Sequence, residues 1–102
     1  MYNVEYLPAA RRDMVSIVRY IAAELGNPAA AERLAAELTD AADSLSEFPY
    51  ASPVHIPLRP LDYEYRKLSV RNYLLFYRVD EARKLVTVAR VIYAGRDYGR
   101  LL

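Results

Sequence analysis

The chain predicts an α+β fold: a first strand, a hairpin of two antiparallel helices, then a three-stranded antiparallel meander with the helices on one face. Two observations carry that expectation. Apolar residues recur at spacings of three and four through residues 10–45, and from residue 64 on they alternate in strand-like runs. Between the two regimes stand Pro49, Pro53, Pro57 and Pro60, which exclude a helix or a central strand there.

The elements follow in order. "YNVEYL" (2–7) is rich in β-branched and aromatic residues and precedes Pro8, which suits a short strand. In "PAARRDMVSIVRYIAAEL", Ala10, Met14, Ile17, Ile21 and Leu25 form one helical stripe, with Pro8 near its start and Gly26 just past its end. Asn27 can cap a second helix and Pro28 fits its first turn; Ala31, Leu34, Leu38, Ala41, Ala42 and Leu45 make its apolar stripe. So short a link forces an antiparallel helical hairpin. The proline-rich segment reads as a semi-rigid connector. Beyond it, "EYRKLSV", "NYLLFYRV" and "KLVTVARVIY" are three strands, with Arg71-Asn72 as the first turn, Asn being tolerant of positive φ, and Asp80 to Arg83 as the second. "AGRDYGRLL" is a short closing tail. The whole of 1–102 reads as one domain, and one face of the sheet is expected to stay open.

Composition narrows the function. No apolar run is long enough to span a bilayer, and the N-terminal residues lack the order of a signal peptide, so a cytoplasmic protein is expected, with no membrane partner. There is no cysteine and one histidine, so no metal site and no cofactor are expected. A net charge of +1 conceals a split: residues 1–58 hold four Lys/Arg against eight Asp/Glu, residues 59–102 ten against five. Such asymmetry points to a basic face for an anionic partner.

Strand parity says which side chains that face displays. Tyr73, Leu75 and Val79, with Leu68 and Val70, are assigned to the helices. Tyr65, Lys67, Ser69, Arg71 and Arg78 then point outward, fringed by Arg96 and Tyr98. Arg66 shares the inward parity and must escape at the strand end. Arg90 interrupts an apolar series, which leaves the parity of the last strand open. Partner binding is therefore assigned to Tyr65, Lys67, Arg78, Arg96 and Tyr98, a set able to hold a phosphate backbone or an acidic peptide. His55 lies in the connector and reads as a surface histidine; Asp80 and Glu81 read as a solvated turn.

The strings "YRKLSVRNYLLFYRV", "DEARK" and "VTVARVIYAGRDYGRLL", with "DMVSIVRYIAAEL" and "AAERLAAELTDAADSLSEFPYASP" upstream, resemble the RelE/ParE superfamily of bacterial type II toxin–antitoxin toxins over nearly the whole chain. That resemblance implies a cognate antitoxin whose disordered segment folds on the toxin. For the target it leaves two branches. RelE-type members are ribosome-dependent, metal-independent mRNA endonucleases, and the residues carried over to such a role are Lys67, Arg78, Arg90, Tyr93 and Arg96. ParE-type members share the fold and poison DNA gyrase. Leu74 stands where a RelE-type strand has an arginine after its tyrosine, and "IVRYIA" and "RVIYAGRDYGRLL" look more like the ParE branch, with Tyr93 in place of its histidine. A ParE-like gyrase inhibitor leads. The alternatives are a RelE-like mRNA interferase and a degenerate member without toxicity.

Overall fold

Val4 and Tyr6 point one way from an extended segment, and a proline ends it two residues later; this is β1, Asn3–Tyr6. The computed structural model describes all 102 residues. The remaining elements are α1 (Pro8–Arg19), α2 (Pro28–Ser44), β2 (Arg66–Val70), β3 (Tyr73–Asp80) and β4 (Leu85–Tyr93). A last short 3₁₀ turn spans Tyr98–Arg100.

The sheet order is β1-β4-β3-β2. The meander is antiparallel, and β1 adds to its far side parallel to β4, Asn3 opposite Leu85 and Tyr6 opposite Val88. Both helices lie on one face. Leu34, Leu38, Ala42 and Leu45 of the α2 side and Ala10 of α1 pack with Val70, Leu75, Tyr77, Val86, Val88 and Val91 in one buried cluster. Leu38, Leu75, Tyr77, Val86 and Val88 are fully excluded from solvent. Asn27 caps α2 as expected: its Oδ1 accepts from the Ala30 N–H at 3.1 Å.

Three local features depart from the expected pattern. The first helix does not run on to Leu25. Tyr20–Glu24 form a π turn in which the Leu25 N–H reaches the Tyr20 carbonyl, and Leu25 ends at the surface, 59% exposed. The wider turn advances the chain out of the 3.6-residue phase, so the last member of the stripe no longer faces the sheet. In the β2–β3 turn, positive φ falls on Arg71 (53°), not on Asn72. Arg71 is held there by pairing with Glu37 of α2. In β4 the register shifts: Phe76 opposes Arg90, whereas Tyr77 opposes Val88. Ala89 is therefore the extra residue of a bulge, which resolves the parity of Arg90.

The sheet's second face is not open. The connector pairs along the free edge of β2, with an isolated antiparallel bridge between Val54 and Arg66, and from there His55 reaches over Phe76. Along that edge the Lys67 N–H donates to the Pro53 carbonyl at 3.0 Å and the His55 N–H to the Tyr65 carbonyl at 2.7 Å, while on the helix side the Tyr77 hydroxyl donates to the Pro49 carbonyl at 2.7 Å. Arg66 escapes the core by donating from Nη1 to the Ser52 carbonyl at 2.8 Å. The tail folds onto the same face, Tyr98 packing on Phe76, and Phe76 and Ile92, which lie outside the helices' core cluster, are as buried as that core. No helix is long and apolar enough to cross a membrane.

Candidate functional site

The residues expected to work together separate into distinct places. Arg90 turns back around the unpaired stretch of β4 beyond the end of β1. Its Nε donates to Asp13 Oδ2 at 2.7 Å and its Nη2 to Oδ1 at 3.0 Å; Nη1 donates to the Leu101 carbonyl at 3.1 Å. The Val91 N–H, left without a strand partner, also donates to Asp13 Oδ2, at 2.9 Å. Asp13 thus caps a sheet edge and an arginine at once, and its hydrogen bonds push the guanidinium's proton affinity up. Arg90 is committed to holding α1, β4 and the tail together.

Tyr93 sits opposite Tyr73, with ring centroids 5.9 Å apart, at the end of the sheet by the helices. It is half-exposed and lines a broad cavity of about 750 Å³ with Tyr20, Asp13 and Arg96. Arg78 does project from the second face, as parity required, but its guanidinium lies 4.0 Å above the Tyr63 ring. Together with Glu5, Arg66 and Glu81 those two residues line a shallow cavity of about 450 Å³. Tyr65 packs edge-on against Tyr63. Leu74, an apolar side chain, lies between Ser69 and Ile92 on that same second face.

The remaining candidates converge. Lys67, Arg96 and Tyr98 line a cavity of about 280 Å³ between connector and tail, with Arg59, Asp97 and His55. Lys67 Nζ stands 5.8 Å above the Tyr98 ring. Tyr98 in turn packs against Phe76 and His55, at centroid separations of 5.5 and 5.9 Å. Asp97 Oδ2 lies 3.7 Å from Arg100 Nε, so the one carboxylate of the group is partly neutralised.

His55 is the residue that the sequence misplaces. It is not a surface histidine: it is 7% exposed and packs edge-on against Phe76 at 5.3 Å. Its Nδ1 is buried and makes no hydrogen bond. Burial, then the charge of Lys67, holds its proton affinity below the ordinary value, so the ring is neutral at pH 7. Val54 and Ile56 flank it and are exposed. The only sequence signal was that alternation, and in a proline-rich stretch it reads equally well as irregular coil. The turn residue Glu81 is exposed, as expected, and is bonded besides: its Oε1 accepts from the Tyr2 and Tyr50 hydroxyls, each at 2.7 Å, and its Oε2 pairs with Lys84.

The chain belongs to the ParE toxin family of type II toxin–antitoxin systems, whose model matches residues 4–98. Among solved structures it is similar to the chromosomal ParDE system of Pseudomonas aeruginosa, at 15% identity and TM-score 0.70, covering 91% of this chain and 96% of that one. It is also similar to the RelBE2 toxin–antitoxin complex of Mycobacterium tuberculosis, at 25% identity and TM-score 0.65, covering 90% and 96%. A third likeness is the RelE–RelB complex of the archaeon Pyrococcus horikoshii, at 17% identity and TM-score 0.62, covering 93% and 97%. No curated protein sequence matches.

Proposed function

We propose that this toxin arrests growth by binding and inhibiting DNA gyrase in the cytoplasm, and that a cognate antitoxin neutralises it. The observation that carries the target is the dispersal of the nuclease set. Cleaving RNA without metal needs a base at the ribose hydroxyl, cations at the phosphate and an acid at the leaving oxygen, all within a few ångströms. Here Arg90 is tied to Asp13, Arg78 is stacked on Tyr63 in another cavity, and Tyr93 lies by the helices. Leu74 adds no charge. Inhibition by binding asks for none of that convergence. The antitoxin follows from the neighbours, which are toxins solved with their antitoxins. An acidic segment that orders on binding fits the excess of ten Lys/Arg over five Asp/Glu in residues 59–102.

One observation favours a second reading, an mRNA interferase: Lys67, Arg96 and Tyr98 share one cavity with a neutral histidine. A single induction separates the two. The purified chain is expected to block supercoiling by gyrase, and its expression to break chromosomal DNA while translated mRNA stays intact. Rapid loss of mRNA with intact chromosomes and unaffected gyrase would reverse the order.

A further inference from the structure

Where the connector pairs with β2 it becomes the outermost strand on that side of the sheet, and no strand pairs with it in turn. Residues of a strand face its neighbour alternately, so only every second one can bond to β2. Pro53 and His55 do so: the Pro53 carbonyl accepts from the Lys67 N–H, and the His55 N–H donates to the Tyr65 carbonyl. Val54 and Ile56 have the opposite parity, and neither their N–H nor their carbonyl groups take part in a backbone hydrogen bond. Proteins blunt such an edge with charge or with proline. Residues 48–58 contain no Lys, Arg, Asp or Glu. Pro53 and Pro57 share the parity of His55, so the N–H groups they lack are missing from the β2 side, and the outer side keeps its donors. The side chains of outward parity are apolar and face solvent: Val54 is 38% exposed, Ile56 84% and Leu58 98%.

We propose that two copies of this chain associate through this edge, connector against connector, as an antiparallel pair about a two-fold axis. Centred on His55, the pairing sets Val54 opposite Ile56 of the second copy, and Ile56 opposite its Val54. Each of these residues supplies one donor and one acceptor, so the free edge is its own complement. Val54 and Ile56 side chains then lie side by side across the join and leave water together. The absence of charge selects the occupant. Two copies meet without like-charge repulsion, whereas an acidic segment finds no cation among residues 48–58 to pair with. This self-association goes beyond the choice of cellular target and does not depend on it.

Full-length toxin, with no antitoxin, gyrase or ribosomes present, is sedimented at concentrations from about 1 µM to about 1 mM. Its amide exchange is followed by NMR at the two ends of that range. A monomer–dimer equilibrium is expected, with exchange at the Val54 and Ile56 amides slowing about tenfold or more as dimer forms. Ile56→Pro removes an outward N–H and no hydrogen bond within the fold. Ile56→Lys sets like charges across the join at a side chain that solvent already surrounds. Each is expected to weaken the dimer about tenfold or more, and Ile56→Lys to keep the parent's unfolding midpoint. Leu25→Lys, at the exposed end of the π turn, is expected to leave the dimer intact. A chain that stays monomeric across the whole range overturns the proposal. So does a dimer that Leu25→Lys disperses and Ile56→Lys does not, which would place the join on the helices. Exchange that slows along β1 in place of the connector overturns it in favour of the sheet's other edge. Protection of Val54 and Ile56 that requires an added glutamate-rich peptide overturns the second copy in favour of an acidic partner strand.

Discussion

Asp13 and Glu81 show how single carboxylates hold distant parts of this chain together. Asp13 accepts three hydrogen bonds, two from Arg90 and one from the Val91 N–H. Both partners are largely shielded, with side-chain exposures of 24% and 17%. Asp13→Ala strands an arginine and a backbone donor together, and its expected cost is about 2–4 kcal/mol by urea denaturation. Arg90→Ala leaves Asp13 bonded to Val91 and is expected to cost less; an equal or larger loss would show that the backbone contact contributes little. Glu81 sits at the surface, and its bonds to Lys84, Tyr2 and Tyr50 pull its carboxyl down to about 2, while the same contact pushes the Tyr50 hydroxyl up to about 12. The two signs bracket a window. A depressed carboxylate stabilises the fold above its ordinary pKa of 4.5, and that support is lost as pH falls toward about 2; a raised phenol stabilises below 10, and that support is lost as pH climbs toward about 12. In Glu81→Gln both limbs of the stability–pH curve are expected to flatten, which denaturant midpoints across that range would read. Neither carboxylate was legible as structural in the sequence. Each acts across a long separation, Asp13 to Arg90 and Glu81 to Tyr2, and only the folded topology brings such pairs together.

At the scale of elements, the parts with simple periodicity were readable and the irregular ones were not. The stripe of α2 and its Asn27 cap follow from spacing and from the cap's acceptor oxygen. Asn27→Ala is expected to cost about 1 kcal/mol in thermal or urea unfolding. Leu38, fully buried between α2 and the sheet, is expected to cost about 2–5 kcal/mol on truncation to alanine. If Leu38→Ala proved as mild as Asn27→Ala, the helix–sheet core described above would be wrong. The π turn at Tyr20–Glu24 leaves no such trace, because the residues YIAAE are all acceptable in an α-helix. It arises where the chain must leave α1 and reach Asn27 within a few residues. The bulge at Ala89 is likewise a product of closing β4 against two neighbours of different direction, β1 parallel and β3 antiparallel.

For the whole molecule, the second face of the sheet is where sequence and structure part most. Alternation assigned Lys67 and Arg78 to that face correctly, but it carries no information about what a proline-rich connector will cover. The connector reaches the sheet through main-chain bonds at Lys67 and Tyr65, and the tail reaches it through Arg90 and Leu101. His55 and Tyr98 meet over Phe76, so one histidine lies at the join of three segments distant in sequence. Its proton affinity is lowered by burial and by Lys67, with Tyr98, Arg59, Arg96 and Asp97 the other ionisable groups around it. A histidine so depressed stabilises the fold fully above its ordinary value of 6.5, and that contribution fades as pH falls through the lower folded value. Protonation then puts a cation beside Lys67 in a site already rich in positive charge. Lowering the pH below 6.5 is therefore expected to loosen the connector before the core, seen as faster amide exchange at His55 and Lys67 while Leu75 and Val88 stay protected. In His55→Phe, which fills the space without a proton to gain, that acid-sensitive step is expected to vanish. Loosening at the same pH in His55→Phe would assign it to carboxylates elsewhere and free His55 of the role.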